Sequence, residues 1–333
     1  MTADCKPYSR NHMLDTKSFG DFIMLEYGLS LVGDMKTDGG FHYLGSTEDK
    51  KGRKPFRYCV HLDDPPNIYY NDLKRGFRGT WYPQGHEALD EAGRERRRRE
   101  FGLRKVRQDA ETQDRQAQSA KLARDLWAKA VSASGHHPYL VRKEVDAYRV
   151  RQLPKWQKRS YQEDGAFETV IVEDVLLIPM YDEKGELWNV QAIFPEFNEA
   201  LGRDRDFLPR ARVTGLFHWM GPRTHTVYLA EGYATAASIF EATGQRVLVC
   251  FSAGNLPAVA LAVRAAMPDV QIIVCADNDL PDKNGRRPGI DKAEEAAALV
   301  GGIVAMPPIK GADFNDYAAI LKTSNKGPLK IFA

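Results

Sequence analysis

From His225 onward the chain alternates short aliphatic runs with helix-forming segments, and this alternation limits the possible folds more than any other feature. HTVYLAEG reads as a strand running into a glycine turn, and TAASIFEATG as a helix ending at Gly244. RVLVCFSAG with PAVALAVRAAM repeats the pair, VQIIVCADND with DKAEEAAALVGG repeats it again, and GIVAMPP closes the series as a fourth strand. Strands of nearly continuous Val, Ile and Leu alternating with helices specify a parallel sheet covered on both faces. The expected fold over 225–325 is α/β, a four-stranded parallel sheet with flanking helices.

In an open parallel sheet, ligands gather at the carboxyl ends of the strands. Two such ends carry acids here, Glu231 before Gly232, and Asp277-Asn278-Asp279. The two-residue period of a strand sends Asp277 and Asp279 to one side and Asn278 to the other. Carboxylates that close repel each other unless a cation lies between them. Oxygen-only donor sets suit Mg²⁺, which keeps water and substrate phosphates in its shell and supports phosphoryl or nucleotidyl transfer. Each motif alone reads equally as a turn former or a surface acid; at adjacent strand ends of one series they point to a site.

Glu231-Gly232-Tyr233-Ala234-Thr235-Ala236 followed by Asp277-Asn278-Asp279 resembles the TOPRIM domain of primases from conjugative plasmids and satellite phages. His137-Pro138-Tyr139-Leu140, the segment IPMYDEKGELWNVQAIFP and RDFLPRARVTGLFHWMG (205–221) resemble the first half of that primase catalytic core, and Lys310-Gly311-Ala312-Asp313 resembles its closing element. The resemblance spans about 135–320, with a weaker echo at 41–85. It implies a TOPRIM domain preceded by an α+β half of the catalytic core. It makes Glu231, Asp277 and Asp279 metal ligands and catalytic acids, with Mg²⁺ or Mn²⁺ as cofactor. The implied activity is primer synthesis on single-stranded DNA from nucleoside triphosphates, for a plasmid, phage or integrative element. Cys59 and His61 are the only close candidate ligands in the front of the chain, so zinc is not expected. No G-x-x-x-x-G-K-[ST] loop is present, which leaves the motor function to a separate helicase or other replication protein.

Upstream, residues 1–85 read as a small β-rich module, with FHYLGST, FRYCVHL and NIYY as short strands between turn formers. Lys74, Arg75 and Arg78 interleave with Trp81 and Tyr82, the mixture that single-strand nucleic-acid binding uses; the same rings would serve equally as a core. Residues 86–130 form a basic helical linker, carrying eight basic against three acidic residues between Arg94 and Asp109. Its last part regains an apolar stripe through Leu122, Leu126, Trp127 and Val131. In 131–224, TVIVEDVLLIPMYD and LWNVQAIF form a β-hairpin about Glu183-Lys184-Gly185-Glu186.

Arg203, Arg205, Arg210 and Arg212 offer planar forks suited to triphosphate, although Asp204 and Asp206 alternate with them as internal partners. Lys310 is either a phosphate contact or a surface lysine. Asp313 and Asp316, three apart before YAAIL, read most simply as a helix-starting pair, with metal assistance as the other reading.

The 333 residues suit about two domains. No apolar run approaches the roughly 18 residues of a membrane span, and the N-terminus lacks an apolar signal core. The four cysteines form no CxxC pair, so a disulfide framework is not expected and a reducing cytoplasm is. Two other functions share the acidic constellation: a TOPRIM nuclease, and a non-catalytic DNA-binding accessory protein.

Overall fold

The computed structural model describes residues 16–49, 52–62, 66–83, 91–161, 167–282 and 285–331. The chain divides into two compact units between Lys105 and Val106.

In the first unit, helix α1 (Thr16–Tyr27) precedes a five-stranded antiparallel meander: β1 (Leu31–Val32), β2 (Phe41–Ser46), β3 (Phe56–His61), β4 (Asn67–Asp72) and β5 (Arg78–Trp81). Alternate residues Leu44, Phe56, Tyr58, Val60, Ile68 and Tyr70 face Phe19 and Ile23 of α1 and make the core. Burying each such ring or branched chain stabilises the unit by about 1.5–3 kcal/mol. The sequence reading assigns no helix at α1, whose apolar residues are interrupted by Gly20 and Asp21.

Helix α2 (Glu91–Lys129) follows. Its final turns place Ala123, Leu126, Trp127 and Ala130 on the second unit's core. The docking stripe therefore runs partly through alanines, and the expected Leu122 and Val131 are exposed. Small residues let the helix lie close to the sheet.

A second antiparallel sheet has the order β10-β9-β8-β7-β6. Its strands are β6 (Val131–Ser132), β7 (Arg151–Tyr161), β8 (Phe167–Tyr181), β9 (Leu187–Asn198) and β10 (Arg203–Phe207), with the short helix α3 (Pro138–Lys143) after β6. The β8–β9 hairpin turns where expected. Asp182 closes it by accepting from the Lys184 and Glu186 amides at 3.0 and 2.9 Å, and Gly185 takes φ +82°.

The third sheet has the order β11-β13-β12-β14-β15. The parallel strands are β12 (Thr226–Ala230), β13 (Arg246–Val249), β14 (Gln271–Cys275) and β15 (Ile303–Ala305). These are the four expected strands. A fifth, β11 (His218–Met220), adds an antiparallel edge beside β13. Helices α4 (Tyr233–Thr243) and α7 (Phe314–Thr323) cover one face together with α3 and the second sheet, while α5 (Leu256–Ala266) and α6 (Pro288–Val300) cover the other. The chain leaves β12 toward β13 on one side and returns to β14 on the other. That reversal opens a crevice at the carboxyl ends of β12 and β14.

Candidate active site

Glu231 follows β12 directly and Asp277 follows β14 by one residue, so strand pairing brings them to the same crevice. Asn278 is pinned on the far side. Its amide donates to Ala312 O at 3.1 Å, its carbonyl accepts from Gly311 N at 2.7 Å, and its side chain donates to Pro307 O at 2.9 Å. With Asn278 held there, Asp277 and Asp279 turn toward the acidic side by the geometry of this turn, since β14 ends at Cys275, short of the strand that the sequence suggests.

The first turn of α6 completes the crevice. A Cβ placed on Gly289 would lie 3.3 Å from Asp279 Oδ2 and 3.4 Å from Glu231 Oε1. Two carboxylates from different strand ends thus converge on one glycine, at the positive end of a helix. Sequence reasoning missed Gly289, because nothing in its own neighbourhood marks it.

The electrostatics follow from crowding. Burial raises the Glu231 carboxyl, Asp279 adds to the rise, and the Ala253 amide offsets part of it. Asp277 is pushed up to about 7, first by burial and then by the charges of Glu231, Asp313, Asp279 and Asp316. Its Oδ1 is buried without a hydrogen-bond partner. Among the described residues no three His, Cys, Asp or Glu side chains already form a metal cage. The donor set nevertheless fits a hard dication: all oxygen, mutually repelling, with one orphaned buried oxygen and a side-chain-free cradle at Gly289.

The Glu231–Ala236 segment has a structural logic. Tyr233 is buried, and its hydroxyl donates to Asp146 O at 2.8 Å while accepting from Tyr148 N at 2.7 Å. Ala234, Ala236 and Ala237 are buried against Tyr139 and Leu140. Thr235 Oγ1 donates to Asp313 Oδ2 at 3.1 Å. Asp313 caps α7 by accepting from Asn315 N and Asp316 N at 2.7 and 2.8 Å, and Asp316 completes the capping box. The helix-starting reading of this pair is the geometry observed.

The expected nucleotide cations do not gather as one group. Arg205 pairs with Asp204 at 3.0 Å on the edge strand β10. It lies near Tyr139, whose phenol burial pushes up to about 12, Arg205 pulling the other way. Asp204 and Asp313 also act on that phenol, and the Ala234 amide bonds it. Arg203 pairs with buried Asp206, which also holds Trp156 Nε1 and Lys158. Arg212 lies over the Trp188 ring and donates to Thr214 O. Arg210 is exposed at φ +59°. Lys310 is exposed on the turn that pins Asn278.

The expected N-terminal cluster divides between two faces. Lys74 pairs with Asp49 at 2.7 Å, and Arg75 with Asp72, Asp49 and Glu48 at 2.8, 3.3 and 3.4 Å. Trp81 packs edge-on against core Phe19 at 5.5 Å. In this geometry the two cations are held by carboxylates and the indole packs toward α1. Arg78 and Tyr82 are exposed on the other side. Cys59 donates its thiol to Gly39 O at 3.2 Å. No described helix is long and apolar enough to cross a membrane.

Residues 226–321 match the Toprim domain family. Two Escherichia coli proteins named DNA primase TraC are each 30% identical to this chain. One aligns over 279 residues, 81% of this chain and 24% of that protein, and the other over 305 residues, 88% and 19%. The chain thus spans about a quarter or less of the length of these curated relatives. Among solved structures, the RNA polymerase domain of Mycobacterium tuberculosis primase DnaG aligns with 65% of this chain and 81% of its own, at 15% identity and TM-score 0.42. The Aquifex aeolicus primase zinc-binding and RNA polymerase domains align with 92% of this chain and 81% of their own, at 12% identity and TM-score 0.40. Residues 226–321 are a Toprim domain, in a chain similar over most of its length to TraC.

Proposed function

We propose that this TraC-like Toprim chain is a DNA primase segment that joins nucleotides on a single-stranded template, using Glu231, Asp277 and Asp279. The observation that carries the reading is the convergence of Glu231 and Asp279 on Gly289, beside the orphaned Oδ1 of Asp277. Acids crowded enough to hold Asp277 near neutrality are a poor structural solution and a good cation trap. Mg²⁺ or Mn²⁺ bound there would neutralise the triphosphate and the attacking hydroxyl's developing charge. The chain's own contribution is positioning. The strand ends hold Glu231 and Asp277 rigidly, the 307–312 turn fixes Asn278 so that Asp279 faces inward, and Gly289 leaves space between the carboxylates. In this reading Arg205 meets the triphosphate at the crevice margin by releasing Asp204, and Lys310 serves as a second phosphate contact. Template and nucleoside triphosphates are its partners, and a separate helicase or other replication protein is the further partner this reading admits.

The test is the full chain with labelled nucleotides, Mg²⁺ or Mn²⁺ and a single-stranded template. New short products support primase activity. Template degradation would identify a nuclease instead, and a mobility shift without chemistry would identify a binding protein.

A further inference from the structure

Arginines and aromatic rings from separate segments of the second unit meet on one surface. Trp219, on the edge strand β11, has the Arg149 guanidinium over its ring at 4.4 Å and that of Arg246 at 6.0 Å. Tyr181, at the end of β8, meets the same indole at 4.8 Å, and its hydroxyl lies in the fields of Arg149 and Arg151. Arg151 in turn covers the Trp127 ring at 4.6 Å. Arg223 joins the group beside Arg246. The turn after β11 brings it there: Gly221 takes φ +77°, and a Cβ on it would lie 2.7 Å from Phe240 Cε2.

The fold supplies no counter-charge to these cations. None of the four arginines takes part in an ion pair among the described residues. Arg246 Nε donates to Pro222 O at 3.1 Å and Arg151 Nη1 to Trp127 O at 2.6 Å, so neutral carbonyls hold part of each fork. Arg149 and Arg223 are exposed and donate to no described residue. Burial first, then the charges of Arg223 and Arg149, lower the Arg246 guanidinium from its ordinary value. Like charges crowded without an acid are a cost in the free chain, and an anionic partner removes it.

We propose that this surface docks an acidic segment of a partner protein, its carboxylates meeting the arginines and an apolar side chain resting on the Trp219–Tyr181 pair. Planar guanidinium forks bind carboxylates bidentately, and Trp, Tyr and Arg are the residues that anchor protein interfaces. Two observations favour a peptide over nucleic acid. Trp219 packs on the core behind it and carries a guanidinium in front, which takes the place a stacked base would need. The group also sits at the wrong end of the sheet for the reaction. Arg246 opens β13 and Arg223 precedes β12, strands of four and five residues at about 3.3 Å each, whereas the acids follow the carboxyl ends. The surface lies apart from the acidic crevice, and docking there does not depend on the catalytic reading.

The experiment titrates the full chain, in chelator, with a fluorescein-labelled peptide of Asp and Glu around one phenylalanine. It should bind at least about tenfold more tightly than the same peptide with Asn and Gln, since charge selects it. Arg149→Gln with Arg223→Gln, at two exposed positions, should weaken it about tenfold, while primer synthesis on a single-stranded template stays at the wild-type level. A benzophenone in place of the phenylalanine should leave adducts on Tyr181 or Trp219 of the wild-type chain. That map decides the matter if the arginine variant melts early. Peptide affinity within about twofold of wild type with unchanged melting, or adducts confined to other segments, would overturn the proposal. Loss of duplex DNA binding by the variant, with peptide binding unchanged, would reassign the surface to nucleic acid. A wild-type chain that makes no primers would leave the peptide readouts standing.

Discussion

The charge of Asp277 is unfavourable, since it lies among four other carboxylates with one buried oxygen unsatisfied. Asp277→Asn removes that charge without changing shape. The variant is expected to lose nucleotide-joining activity by at least about a hundredfold, some 2.7 kcal/mol of barrier, while melting no earlier than wild type at neutral pH. Activity near wild type would remove Asp277 from the site. Gly289→Ala tests the cradle from the other side. Alanine suits a helix better than glycine by roughly 0.5–1 kcal/mol, yet its methyl would sit 3.3 and 3.4 Å from two carboxylate oxygens. A melting temperature equal or higher, with Mn²⁺ affinity and activity reduced about tenfold, is the expected pair of results. His218 belongs to packing instead. Its Nε2–H donates to Tyr148 O at 3.0 Å, Nδ1 is buried without a partner, and burial pushes the ring down to about 4, with Arg149 adding to the fall. The folded ring stays neutral while the unfolded ring charges near pH 6.5. Stability present above pH 6.5 is therefore lost as pH falls toward 4, by up to about 3 kcal/mol. Denaturant titrations should show wild type losing more stability than His218→Gln across that window.

At the scale of elements, the α/β alternation was legible because buried parallel strands leave an unbroken aliphatic signature. The carboxyl-end acids were legible for the same reason, since they interrupt it. Strand order was not. Nothing in the residues themselves puts β12 between β13 and β14, and only that order sets Glu231 beside Asp277 and brings Gly289 to both acids. Which N-terminal aromatics belong to the core was not legible for a related cause. A two-residue period separates Trp81 from Arg78 and Tyr82 into opposite faces but does not say which face is covered, and α1, which decides it, carries a weak pattern. Tyr233 shows how an element is seated on its neighbour. It ties the first turn of α4 to the 146–148 segment with one donated and one accepted hydrogen bond. Tyr233→Phe leaves Tyr148 N–H and Asp146 C=O without their partner, so chemical denaturation should report a loss of about 1–3 kcal/mol.

For the whole molecule, the division between Lys105 and Val106 falls inside helix α2, and this sets where the chain can be cut. Sequence composition suggests a boundary near 130. A fragment beginning at 131 would discard Ala123, Leu126, Trp127 and Ala130, which belong to the core formed with Leu153, Val175 and Phe194. Removing that stripe would expose the apolar face of the second sheet, a loss of roughly 25 cal/mol for each Å² uncovered. A fragment of residues 106–333 keeps the stripe, both remaining sheets, and every residue assigned to the acidic crevice. It should unfold cooperatively and retain Mn²⁺ binding and nucleotide joining on saturating template. The 131–333 fragment should aggregate or melt far earlier. Oligonucleotide affinity should separate the functions: residues 106–333 lack the N-terminal sheet with its exposed Arg78 and Tyr82, so their log–log salt slope should be shallower than that of the full chain by at least about 0.7. Equal slopes would mean that the second unit alone holds the template. Comparison of melting curves and salt titrations for the full chain and the two fragments decides both questions, because the first depends on where α2 is cut and the second on whether the N-terminal sheet is present.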